Sequence, residues 1–262
     1  MSGNISSSSL YPSEIILATP FVTLLFLYCS AVYLNMKHGK RWSVFRTLYW
    51  IMGTLFALLS VTGPIARLSH EQFPVHMLGH LLLGMLSPLL TVLGAPVTLL
   101  LRTLSVKQAR RITAWLKAKP FVILSNPIFA SFLNIGGLWL LYTTDLYDLM
   151  HQNLYLYLLI HMHVFLAGYV FTASIIYIDP VFHRRSYTYR LIVLTVALGA
   201  HSVLSKYIYA YPPSGVTRSE AETGGMLMYY GGDLIDIVLI LIFCTQWYKA
   251  SRPRFRSPVE KH

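Results

Sequence analysis

Ten histidines punctuate this 262-residue chain, and several stand where few ionisable residues are expected, inside long apolar runs. In FPVHMLGHLLLGM, residues 73–85, His76 and His80 are four apart. On a helix that spacing places them about 40° apart on one face, where two imidazoles can reach one ion. LIHMHVFLAG holds His161 and His163, LGAHSVLSK holds His201, and MYYGGDLIDI holds Asp233 and Asp236. His161 and His163 would be about 200° apart on a regular helix, so one of them faces the site, with His161 slightly favoured. Either aspartate could orient a ligating imidazole or compensate the charge of an ion.

The residue types point to copper. Met77, Met85, Met150, Met162, Met226 and Met228 lie near these histidines or at the same ends of their segments. Imidazole with thioether suits copper, above all Cu(I), whereas magnesium or calcium would call for carboxylates. Methionine is also common packing material in apolar helices, and for each Met, Met77 included, packing outweighs ligation. His70 and His151 stand outside the apolar runs and could receive an ion on its way in. His38, His183 and His262 read as surface residues.

Long helices must carry these side chains. Apolar residues make up 55% of the chain and charged residues 12%, with a mean hydropathy of +0.55. That composition excludes an ordinary soluble domain, in which about a quarter of residues are charged. A hydrocarbon core of about 30 Å takes about 20 apolar residues of helix. Seven segments qualify, at about 14–35, 44–66, 76–101, 121–142, 152–178, 188–209 and 226–248. Their continuous, Leu-rich character excludes the alternating strands of a membrane barrel. The expected fold is an all-α integral membrane protein, a single polytopic domain built as a seven-transmembrane-helix bundle.

Of the 21 Lys and Arg residues, all but Arg67, Lys206 and Arg218 fall in the first, third and fifth connections or after the last span. Basic residues are retained in the cytoplasm during insertion, so the N-terminus is expected outside and the C-terminus, with its basic tail at 249–262, inside. The first apolar run is longer than a signal-peptide core and reads as a retained span. The charge of +11 then reflects orientation and contact with anionic lipid. Spread over four short segments, it does not form a nucleic-acid surface.

At about 1.5 Å per residue, His80 lies about 6 Å deeper than His76. His161 and His163 lie about 10–15 Å below the outer boundary, and His201 about 12 Å from its outer end. Four helices therefore bring ionisable groups to one level of the outer half, and buried groups of this kind usually face the bundle interior and pair. Between the third and fourth spans, residues 103–119 form a basic amphipathic segment, with Ser105 and Gln108 at capping-box spacing. Cys29 and Cys244 have no paired spacing and read as reduced packing residues.

Four fragments, HMLGHLLLGMLSPLLTVLGAPVTLLLR, LYDLMHQNLYLYLLIHMHVFLAGYVFTASIIYIDP, ALGAHSVLSKYIYAYPP and MLMYYGGDLIDI, together resemble the multispan CtaG-like cytochrome c oxidase assembly factors of bacteria. The resemblance covers spans three to seven. It implies a multi-pass protein of the bacterial plasma membrane, a non-enzyme required for active haem–copper oxidase and acting in copper delivery. The family's histidine motifs fall on His76 and His80, on His161 and His163, and on His201, with the acidic position on Asp233. His70, Met77, His151 and Asp236 are weaker candidates. The expected partners are oxidase subunits and membrane lipid, with a homo-oligomer also open and no nucleic acid. Three other readings compete: a b-type haem protein with axial histidines, a proton or metal transporter, and a metal-free assembly scaffold.

Overall fold

The computed structural model describes residues 12–181 and 183–252, and these contain helices and no strand. The helices are α1 (Pro12–Lys37), α2 (Val44–Val61), α3 (Gly63–Leu68), α4 (Phe73–Leu93), α5 (Pro96–Thr103), α6 (Val106–Leu116), α7 (Lys119–Leu124), α8 (Pro127–Thr143), α9 (Leu146–Gln152), α10 (Leu154–Ile175), α11 (Tyr187–Ala210) and α12 (Arg218–Ser251). Six of them, α1, α2, α4, α10, α11 and α12, are long and apolar enough to cross a membrane. The fourth expected span is different. Asn126 accepts a hydrogen bond from the Ile128 amide and, followed by Pro127, starts a new helix, so 121–142 is divided between α7 and the 17-residue α8.

The third expected span, 76–101, is also broken. It stops at Gly94–Ala95, where Ala95 takes a left-handed φ of 52° before Pro96 opens α5. Asp179, from the connection between α10 and α11, accepts hydrogen bonds from the Val97 and Thr98 amides and the Thr98 hydroxyl. A carboxylate there satisfies orphan donors of the new helix and complements its dipole. Tyr28 donates to the Gly94 carbonyl. The break is thus held from α1 and from the α10–α11 connection.

α4 is the central helix: 61% of its apolar window is buried, against 17–39% in the other five. It packs on α2, α10 and α12. Between His80 and Ser87 it widens into a π turn, Leu81–Leu86. Pro88 has no amide proton for the Gly84 carbonyl and its ring would clash there, a recognised cause of such a bulge. Gly168 of α10 sits against that carbonyl so closely that a Cβ would come within 2.1 Å of it. α8 carries a second π turn, Phe132–Gly136.

The bundle has two chemically distinct ends. At one, Glu14 of α1 accepts from the Gly63 amide and pairs with Arg67 at 3.1 Å, fastening α1 to α3. At the other, Lys40 donates to the Arg102 carbonyl, and the Arg46 and Arg102 guanidiniums lie over the Trp42 ring. α6 begins with the expected capping box of Ser105 and Gln108 and buries no side chain. Cys29 and Cys244 are exposed on the outside of the bundle, not packed within it. Of the expected basic tail, Arg254, Arg256, Lys261 and His262 lie outside the described residues.

Candidate metal centre

Starting at the Glu14 end, the histidines form a descending series. The His70 ring stacks on Tyr157 at 5.1 Å and meets His151 edge-on at 5.5 Å. Burial, and then the neighbouring His151, hold the His70 imidazole below its usual pKa. These two rings line an open polar vestibule with Glu71, Asp148 and Glu220. His151 lies 6.1 Å from His76, whose Nε2 shares a 3.0 Å hydrogen bond with the Tyr142 hydroxyl. One turn deeper, the His80 ring is 6.2 Å from that of His201 on α11.

Below the vestibule lie two cavities of about 30 Å³ each. The upper is lined by His76, His80, Tyr142 and His161, with Ser60 and Ser69 on its wall. Both serine hydroxyls are already donated to carbonyls of their own chain segment, Ala57 and Ala66. The lower is lined by His80, Met85, Asn134, Thr172, His201 and Asp236. His80 is therefore the wall between them. Neither of its ring nitrogens has a hydrogen-bond partner, and the same holds for His201 Nε2. Buried imidazole nitrogens are rarely left so, because each loses its hydration without replacement.

The rest of the expected set divides clearly. His161 donates Nδ1–H to the Tyr157 carbonyl at 2.8 Å, which leaves Nε2 as its lone-pair nitrogen. His151 does the same with the Tyr147 carbonyl. A carbonyl that fixes the tautomer in this way is the usual support of a ligating histidine. His163 points elsewhere: it is exposed and its Nε2 donates to the Leu133 carbonyl in the π turn of α8. Gly137 leaves the space its ring needs, since a Cβ there would lie 2.7 Å from Nε2.

The order of the aspartates is reversed relative to the expectation. Asp236 is buried and lines the lower cavity, while Asp233, a turn away, is half-buried and lines neither. No cation pairs with Asp236 among the described residues. Met77 is fully buried in the apolar core against Gly224 of α12, and Met150 and Met228 are in the same core. Of the six methionines only Met85 faces a cavity with histidines. Tyr142 and Tyr147, which bracket His76, were invisible as site residues in the sequence, because their pairing crosses from α8 and α9 to α4. Among the described residues, no three His, Cys, Asp or Glu side chains already converge as a closed metal site.

Residues 26–250 match the model of the cytochrome c oxidase caa3 assembly factor (Caa3_CtaG). The chain belongs to that family. This caa3 assembly-factor family member is 28% identical to an uncharacterized protein of Mycobacterium leprae over 232 residues, which are 80% of this chain and 35% of the relative. Uncharacterized proteins of Mycobacterium bovis and Mycobacterium tuberculosis are each 28% identical over 247 residues, 86% of this chain and 37% of theirs. The family member thus spans little more than a third of the length of the curated relatives it matches. No solved structure matches it.

Proposed function

We propose that this family member binds Cu(I) among His76, His80, His161, His201 and Asp236 and delivers it to a haem–copper oxidase during assembly, as a non-enzyme. The observation that carries the reading is the pair His80 and His201, buried, with unpartnered ring nitrogens, beside a cavity the size of one ion. Two imidazoles joined in line by one ion through bonds of about 2 Å have centroids roughly 6 Å apart, and these rings are 6.2 Å apart. Cu(I) tolerates few, soft ligands, so a pair of imidazoles with Met85 suits it without a ready-made set of three. A cavity of about 30 Å³ takes one ion or water, not a macrocycle, which counts against the haem reading.

In this proposal α8, about 26 Å long, makes a seventh crossing with help from α7, and the N-terminus lies outside the bacterial plasma membrane. The vestibule then opens on the outer face, and the basic end, with α6, rests on the cytoplasmic leaflet. The oxidase copper subunit is the acceptor. Elemental analysis of gently purified protein, with oxidase activity and oxidase copper content in cells lacking it, tests the reading. His80→Ala and His201→Ala are expected to lower oxidase copper at normal expression. Normal copper in both variants would leave a metal-free scaffold as the better account.

A further inference from the structure

The two cavities share one side chain, and their linings differ in chemistry. In the upper cavity His76, His161 and Tyr142 offer only neutral donors, whereas the lower adds the Asp236 carboxylate and the Met85 thioether to His201. The shared His80 is 7% exposed and unpartnered at both nitrogens. Gly84, on the π turn, leaves open the space beside its Nδ1–Cε1 edge, where a Cβ would approach to 3.2 Å. Gly232 of α12 likewise clears the His201 ring, to which a Cβ would come within 2.6 Å. Both rings therefore sit against glycines, in places that a side chain at either position would deny them.

We infer that the cavities are two successive stations for one soft monovalent cation, Cu(I) under the reading above, and that His80 is the ligand common to both, passing the ion from the neutral upper station to the anionic lower one. A neutral imidazole has a single lone-pair nitrogen. His80 therefore holds an ion in one cavity at a time, and rotation of its ring, or movement of its N–H proton to the other ring nitrogen, turns it to the other cavity. The carboxylate sets the direction. Burial without a counter-ion disfavours the ionised form of Asp236, and a cation beside it favours that form again, so ion and carboxylate stabilise each other. The carboxylates on the other side, Glu71, Asp148 and Glu220, line the open vestibule, where solvent and salt screen their pull.

The test uses the full chain in detergent, titrated without oxygen with Cu(I) against a chromophoric Cu(I) chelator, together with Ag(I)-loaded crystals of the wild-type protein. One tightly held Cu(I) is expected. His201→Ala with Asp236→Asn should still bind one ion, at least about 10-fold more weakly, the scale on which supporting groups act at metal sites. His76→Ala with His161→Ala should load Cu(I) more slowly and lose the silver of the upper cavity, and His80→Ala should lose binding at both stations. Anomalous density for silver is expected at partial occupancy in both cavities, a readout that needs no variant to fold. Silver confined to one cavity, or an unchanged affinity in His80→Ala, overturns the relay while leaving copper binding intact. A wild-type chain that binds neither Cu(I) nor Ag(I) overturns the copper reading itself.

Discussion

His80 of α4 and His201 of α11 face each other with ring centroids 6.2 Å apart at 32°, and His80 has no partner on either nitrogen. Because each ring is held by packing and not by a hydrogen bond, removing either leaves its neighbour in place with one donor fewer. His201→Ala is expected to lower Cu(I) affinity at least about 10-fold with little change in helix content. Chelator competition and far-UV circular dichroism on the same sample check this.

His161 and His163 are two residues apart yet make different contacts: His161 lines the upper cavity and His163 does not. His163→Ala removes a hydrogen bond to the Leu133 carbonyl, worth about 0.6 kcal/mol between membrane helices. It should lower resistance to unfolding in mixed detergent slightly and leave copper stoichiometry unchanged. His161→Ala should do the reverse, slowing copper loading with little effect on unfolding.

Gly168 permits the closest backbone approach at the π turn of α4. A methyl group there would lie 2.1 Å from the Gly84 carbonyl oxygen, and overpacking of this kind costs about 1–3 kcal/mol. Gly168→Ala is expected to lower the thermal midpoint in detergent and, by moving the π turn beneath His80, to weaken copper binding as well. Gly199→Ala, with open space around its Cα, should change neither.

His70 carries the pH dependence at the mouth. Its folded imidazole is held below the ordinary 6.5 by burial and by the neighbouring His151. On acidification the unfolded chain therefore protonates this site first. The stability linked to it is complete above about pH 6.5 and declines as pH falls through the folded value. His70→Gln should flatten the dependence of the thermal midpoint on pH below about 6.5. The wild-type ring stays neutral, and able to receive a cation, to lower pH than a free histidine.

Hydropathy and length alone located α1, α2, α10, α11 and α12, because a helix that crosses hydrocarbon needs about 20 apolar residues whatever surrounds it. The four-residue spacing of His76 and His80 placed both on one face, and the family motifs marked His161, His163 and His201. Those inferences depend on one helix at a time. The division of the third span at Ala95, the turning away of His163 to the Leu133 carbonyl, the choice of Asp236 over Asp233, and the burial of Met77 in the core depend on which helix lies opposite. A residue's periodicity says which neighbours in its own helix share its face. Only the packing of α4 on α2, α10 and α12, with Tyr142 of α8 and His201 of α11 brought beside it, decided which face looked into a cavity, and made His80 the side chain that two cavities share.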